Sequence, residues 1–270
     1  MVRVCALLFA ALSLWPVQRV SAAENWESTV DVGRAGNFPE PRALQATYGF
    51  GWNGFTAATA EVNFAKADDG QFHLRAAGRT VGLARTLWKF DVAYETAAAA
   101  DTLRPIALRQ SESIRSKQIV TELVFDANGV TRKRIEKPAK GKPSKTRRFD
   151  LPNLFDLQSA LLYLRSQPLE GSEVHRLVVY PTTSAYLATV TVAGRENISV
   201  PAGKFNAIKL NLQLSKISKD RKLEPHRKFR RATVWISDDA DRMILRIEAQ
   251  IFVGSVFAEL QSARFDNAKL

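Results

Sequence analysis

Long stretches of this chain repeat with a period of two. Phe72, Leu74 and Ala76 interleave with His73, Arg75 and Ala77. Ile208, Leu210, Leu212 and Leu214 interleave with Lys209, Asn211, Gln213 and Ser215. Leu245, Ile247, Ala249 and Ile251 interleave with Arg246, Glu248 and Gln250. Such alternation sets one face of a strand on a core and the other in water, the pattern of an antiparallel sheet. Turn signals separate the runs. Asp68-Asp69-Gly70 is one, and Asp238-Asp239-Ala240-Asp241, after the strand around Trp235, is another. Asn128-Gly129 is the strongest, because both residues tolerate positive φ and so suit a hairpin. The spacing predicts roughly a dozen strands.

One segment departs from this period. Leu154, Leu157, Leu161 and Leu164 recur at intervals of three and four, with Ala160 beside them. Asn153 or Asp156 can cap the start, and Pro168 and Gly171 close the end, which predicts an amphipathic helix of about three turns. Its leucine stripe is expected to be buried against the concave side of the sheet. The fold class is therefore mainly β: a curved antiparallel sheet or half-barrel around one short helix. A single domain is expected over residues 45–266. Residues 23–44 hold Gly33, Gly36, Pro39 and Pro41 without strong periodicity, and read as a leader of low order.

The first residues do not look like part of that fold. Arg3 precedes an uncharged, mostly apolar run over residues 4–15, followed by Pro16, Gln18 and Arg19 and then by Ser21, Ala22 and Ala23. These are the three regions of a secretory signal. The run is about twelve residues, short of the roughly 20 that a membrane span needs. Cleavage is expected after Ala22 or Ala23, which predicts export to the periplasm. Cys5, the single cysteine, lies inside the apolar run and does not follow a small-residue site, which argues against a lipid-anchored form. The exported chain is then free of thiols and needs no disulfide. Nothing later in the sequence is long and apolar enough to span a bilayer.

The formal charge of +12 is concentrated. Residues 132–148 hold nine Lys or Arg against one Glu, and residues 216–231 hold eight against two acids. Residues 133–145, interrupted by Pro138, Gly141 and Pro143, and residues 215–228, with Pro225 inside, read as mobile loops between strands. In the cytoplasm such segments would point to nucleic acid. Export removes that partner and leaves anionic lipid, lipopolysaccharide and acidic polysaccharide. Each Lys or Arg near an anionic surface contributes about 1 kcal/mol, so two clusters can dock a protein reversibly. The candidate anion-binding residues are Lys133, Arg134, Lys140, Lys142, Arg147, Lys219, Arg221, Lys222, Arg227 and Lys228.

Other constellations carry less chemistry. His73, His175 and His226 are far apart and have no second ligand at metal spacing, and they read as surface residues. Ser159 sits where a first-turn serine satisfies helix donors rather than in a nucleophile elbow. Gly141-Lys142-Pro143 is not a phosphate loop, because proline removes a backbone donor. Asp238, Asp239 and Asp241 lack the downstream Gly and Glu of a calcium loop and suit a tight turn. Arg195 and Glu196 read as a structural ion pair. Trp26, Trp52, Trp88 and Trp235 read as core aromatics, with sugar stacking the alternative. No cofactor motif is present, and no metal or catalytic set is assigned.

The order of several elements resembles a known family. Asp156, Ser159, Ala160 and Leu161 come first, with Leu164-Arg165, Pro168-Leu169 and Gly171. Then follow Gly194-Arg195-Glu196, Val200-Pro201-Ala202-Gly203 with Phe205, and Val234-Trp235-Ile236-Ser237-Asp238-Asp239, and last the segment 254–260. This order is similar to the bacterial exported proteins grouped as domain of unknown function 3108. The likeness spans about residues 48–265 and implies an envelope location, with no activity to carry over. A looser, fold-level likeness is to the periplasmic lipoprotein carriers, curved half-barrels that hold lipid chains on their concave side; fold alone does not fix function. The expectation is a non-enzymatic envelope protein binding an amphiphilic or anionic component, with peripheral membrane contact. The alternatives are an assembly partner that uses an exposed strand edge, and a hydrolase with an unfamiliar site.

Overall fold

The computed structural model describes residues 25–32, 34–138, 144–225, 229–251 and 254–266. The expected signal sequence lies outside them. Two compact units are present, Met1–Val30 and Asp31–Leu270. Of the first, the described part is a single 3-10 turn at Trp26–Thr29.

The second unit is built from β strands. The first strands are β1 (Ala43–Trp52), β2 (Phe55–Lys66), β3 (Gln71–Thr80) and β4 (Phe90–Ala99), with helix α1 (Gly82–Leu87) between the last two. They continue as β5 (Pro105–Ile114), β6 (Lys117–Asp126), β7 (Gly129–Lys137) and β8 (Lys145–Asp150). A two-residue β9 (Leu154–Phe155) leads into helix α2 (Leu157–Ser166). The rest are β10 (Val174–Val179), β11 (Ala185–Val200), β12 (Gly203–Ile217), β13 (Leu223–Pro225), β14 (Phe229–Ser237), β15 (Ile244–Ile251) and β16 (Ser255–Asp266).

All sixteen strands join one sheet, in the order β8-β7-β6-β5-β4-β3-β2-β1-β16-β15-β14-β12-β11-β10-β9, with β13 folded back on β12. Among the described residues, only β9 and β10 pair in parallel. The expected mainly antiparallel fold is the observed one, with more strands than roughly a dozen. The additional ones include β8, β9 and β13, which are short and show no apolar alternation. The Asn128-Gly129 hairpin forms as expected, with Asp126 facing Gly129 across the turn.

The sheet curls without closing into a barrel. Its two end strands, β8 and β9, are separated by only residues 151–153, and no ladder joins them. Side chains hold this seam instead. Phe149 and Tyr180 pack with ring centroids 5.8 Å apart. Arg132 Nη1 donates to the Thr183 carbonyl at 3.0 Å, and Arg221 Nη2 to the Asp150 carbonyl at 3.0 Å.

Helix α2 lies on the inner face. Leu162 packs with Phe64, Phe72 and Ala98 from β2–β4, while Ala160, Tyr163 and Leu164 join a cluster with Leu177, Val190 and Ile208 from β10–β12. Because one helix touches both halves of the sheet, the sheet must wrap around it. The buried helix face is not the expected leucine stripe. Leu157 and Leu161 remain 50% and 36% exposed, Leu154 belongs to β9, and only Leu164 of the helical leucines in that stripe is buried. The reason is the cap: the Asp156 carboxylate is drawn to Thr96 on β4, which turns Gln158, Ser159, Leu162 and Tyr163 toward the sheet.

The other end of α2 is fastened by Arg242. Its Nη1 donates to the carbonyls of Arg165, at 2.6 Å, and Gln167, and its Nη2 to that of Pro168 at 3.0 Å. Its guanidinium lies 3.4 Å from the centre of the Phe38 ring. Arg165 in turn donates to the carbonyls of Pro39 and Ala240. The segment expected as a leader of low order thus supplies Phe38 and Pro39 to this junction. Gly36 brings its own backbone against the helix, donating to Ser166 Oγ at 3.0 Å. A Cβ there would stand 2.1 Å from the Ser166 carbonyl oxygen.

Two stability predictions follow from this clamp. Arg242→Ala strips three helix-end carbonyls of a charged donor and is expected to cost about 2–4 kcal/mol. Gly36→Val should lower the thermal midpoint while leaving the far-ultraviolet spectrum unchanged, since the clash is with backbone. Melting curves of both variants that superimpose on the parent would refute the clamp.

Candidate functional site

Among the described residues, the basic segments are mostly strand, not loop. Lys133 and Arg134 lie in β7 and Arg147 in β8, with Arg132 facing Arg147 and Arg134 facing Lys145 across the ladder. Long cationic side chains keep an edge strand soluble on both faces, so the charge run does not prevent pairing. The second segment extends β12 and returns as β13, with Lys216 opposite Glu224, and places Lys219, Arg221 and Lys222 at the exposed turn. Lys140, Lys142, Arg227 and Lys228 lie outside the described residues.

Strand parity sorts the described candidates. Val130 and Arg132 are buried, so Arg134 shares their inner face, while Lys133 points to the outer one. Through the β7–β8 register, Lys145, Arg147 and Phe149 share that inner face too. Lys145 and Arg147 are exposed. Arg134 sits 4.0 Å from Glu136 on its own strand. The turn at Lys219–Lys222 meets the far end of β8 through Arg221 and Asp150. Five residues of strand, roughly 17 Å, separate that contact from Lys145. Among the described residues the two clusters are therefore distinct, and the first adjoins the inner face.

The inner face is apolar over much of its area and incompletely covered, with Gln110 and Glu112 of β5 also on it. Val62, Ala76, Val92 and Ile114 have the same parity as buried Phe64, Phe72 and Thr96, yet each is only partly buried. On the other half, Leu212, Leu214 and Val234 flank the cluster around Ile208 and are also partly buried. Helix α2 fills only part of this face.

At the start of α2 the interior turns polar. Asp156 is fully buried and accepts from Thr96 Oγ1, from the Ser159 amide at 2.7 Å and from Ser159 Oγ at 2.7 Å. Ser159 answers by accepting from the Asp156 amide, which completes a capping box. This is the first-turn role expected of Ser159. Burial holds the Asp156 carboxyl above its ordinary range despite those bonds. It also drives the Tyr94 hydroxyl strongly upward, with the nearby Asp156 charge adding to the effect.

The remaining sequence candidates have structural partners. Asp238 bonds Arg195 at 2.9 Å, Asp241 bonds Arg42 at 2.6 Å, and Asp239 accepts the turn amides of Asp241 and Arg242. Their carboxylates diverge, and among the described residues no group of three acidic, histidine or cysteine side chains could hold a metal. Arg195 and Glu196 do not pair with each other, because neighbours on one strand point to opposite faces. Glu196 instead accepts from the Trp235 indole at 2.6 Å and lies 3.3 Å from Lys209. The indole bond, with Lys209 behind it, holds the Glu196 carboxyl below its usual range. Of the tryptophans, Trp235 is buried as expected, while Trp52 and Trp88 are 46% and 51% exposed. His175 is mostly enclosed rather than at the surface, 3.3 Å from Asp31 and 3.7 Å from Glu173.

These features define an open, barrel-like antiparallel sheet wrapped on one helix, with a cationic edge. The family model for proteins of unknown function DUF3108 matches residues 45–261. The chain belongs to that family. A solved structure with the same fold is a β-barrel-like protein of domain of unknown function DUF1849 from Brucella abortus. It has 11% identity and a TM-score of 0.60, and the match covers 85% of this chain and all of that one. A protein from Bacteroides fragilis described as exported, with a YmcC-like fold, has 10% identity over 85% of this chain and 99% of its own. Its TM-score of 0.37 carries no further argument. No curated protein matches the chain.

The buried carboxyl gives a pH prediction. Since its native value is raised above 3.8, its contribution to stability is complete below 3.8 and is lost as pH rises through the native value. Asp156→Asn stays neutral and escapes that loss. The melting temperature of the variant relative to the parent should therefore climb from acid to neutral pH. A difference that stays flat across that range would refute the assignment.

Proposed function

We propose that the chain is a non-enzymatic protein of the bacterial envelope that binds an amphiphilic, anionic envelope component, a lipid or lipopolysaccharide. One observation carries this reading: Arg134, Lys145 and Arg147 stand in register on the same face of the sheet that presents incompletely buried Val62, Ala76, Val92 and Ile114. Apolar surface and cations on one face match a molecule with an acyl part and an acidic head. An acidic polysaccharide would use the cations and leave the apolar face idle, so the lipid class is favoured. The envelope setting is supported by the sequence of the first 23 residues, which has the form of a secretory signal.

The assembly-partner reading needs a strand edge open to pairing. The longer of the two end strands is β8, and it carries Lys145, Arg147 and Arg148 along its six residues. Charged edges discourage strand addition, which favours ligand binding over edge pairing.

Native mass spectrometry of the protein, isolated from an envelope fraction without detergent, tests the proposal. The expected spectrum holds a defined adduct that extracts into organic solvent. Arg134→Glu combined with Lys145→Glu and Arg147→Glu should lower its occupancy at low salt. A bare polypeptide mass, or an adduct indifferent to the triple variant, would sink the reading.

A further inference from the structure

The up-and-down order of β1–β8 sends alternate turns to opposite rims of this half of the sheet. One rim holds the turns at residues 53–54, 81–89 and 115–116 and the end of β7; the other holds those at 67–70, 100–104 and 127–128. The two rims differ in kind.

The most exposed large apolar side chains among the described residues are Leu83, Leu87 and Phe55, at 84%, 79% and 78%. All three lie on the first rim. Leu83 and Leu87 are one turn apart on α1, and so share a helix face. The Val81 amide donates to the Ala57 carbonyl at 2.9 Å, which fixes the start of α1 beside the hairpin that carries Phe55. That hairpin is braced in turn: Asn53 exchanges two 3.0 Å hydrogen bonds with Ser255. Trp52 and Trp88, each about half exposed, flank the same points.

Charge follows the same division. Arg79, Lys89, Arg115, Lys117 and Lys137 lie on or beside the turns of the first rim. Its nearby carboxylates, Asp91, Glu136 and Glu112, are engaged by Arg85 at 2.8 Å, Lys117 at 3.6 Å and the Gln110 amide at 2.7 Å. The turns of the second rim carry Asp68, Asp69 and Asp101 against Arg104, with Lys66 beside the first turn and Asp126, engaged by Arg148 at 2.7 Å, at the edge of the last, so its balance is acidic. This half of the sheet is therefore electrically polarised along its strands.

We propose that the first rim docks on an anionic lipid bilayer, with Phe55, Leu83 and Leu87 entering the headgroup layer and the surrounding cations meeting lipid phosphates. The inference rests on the proposed function in taking the envelope as the setting, and it names the surface from which an amphiphile would arrive. The occupant follows from chemistry. Lysine is depleted in protein–protein interfaces. Apolar tips ringed by lysine and arginine, whose stems lie along the apolar layer while their heads stay wet, suit a bilayer surface. The acidic second rim is repelled by that surface, which sets the orientation.

The test is flotation of the envelope-isolated protein with vesicles of phosphatidylethanolamine and phosphatidylglycerol, against vesicles of phosphatidylcholine alone. The protein should float with the anionic vesicles and far less with the zwitterionic ones, and salt should release it. Phe55→Ser with Leu83→Ser and Leu87→Ser, all at exposed positions, should weaken binding by roughly tenfold or more. Lys89→Glu with Arg115→Glu should weaken it several-fold at low salt. Circular dichroism and the native-mass adduct serve as controls for fold and cargo. Equal flotation with both vesicle types, no flotation, or an apolar triple variant that binds like the parent would overturn the proposal. Rim-dependent flotation by a protein that carries no adduct would support docking while refuting the cargo reading.

Discussion

The fold depends on how one short helix is tied at both ends. A ten-residue helix is marginal alone, and its terminal donors and carbonyls must find partners once buried. Asp156 and Ser159 supply them at the first turn, and Arg242 supplies them at the last. Both anchors also reach into the sheet, the first through Thr96 on β4 and the second from the turn ahead of β15. With the helix so held, each half of the sheet has a fixed object to pack against. The curvature then follows from packing rather than from ladder closure.

A buried carboxylate and a buried guanidinium are costly unless satisfied. Here each is matched to backbone groups that would otherwise be orphaned, so the helix ends and the charges solve each other's problem. Burial lowers the proton affinity of Arg165 to about 10 and depresses that of Arg242, which marks how far this junction is removed from water. Phe38 lies over one side of it. Phe38 and Pro39, ahead of β1, are in this sense part of the junction.

Much of this was legible in the sequence. Alternation identified strands because a half-buried sheet writes its period directly into residue order, and Asn128-Gly129 marked its hairpin because few residue pairs tolerate that backbone. The existence of α2 was legible as well, but its buried face was not. The leucine spacing favoured one stripe, whereas the contact of Asp156 with Thr96, sixty residues away in the chain, selected another. The basic segments read as loops because proline and glycine break up a run of charge that has no apolar alternation. In the first segment the described prolyl residue, Pro138, only ends β7, and the charges before it belong to the strand. Which of these cations share the inner face depends on strand register, and register is invisible until the pairing is known. The clustering of Phe55, Leu83 and Leu87 on one rim is likewise a product of topology, since nothing in local composition links a hairpin tip to a helix nearly thirty residues on.

The seam between β8 and β9 gives the sheet an unusual mechanical character. A closed barrel has a circumference set by its strand number and stagger, and it can widen only by breaking a ladder of backbone hydrogen bonds. This sheet is a split ring whose ends are tethered by three residues and latched by two arginine–carbonyl bonds and one aromatic contact. Its girth is consequently governed by side chains, and the interior volume can change while every backbone pairing in the sheet stays intact.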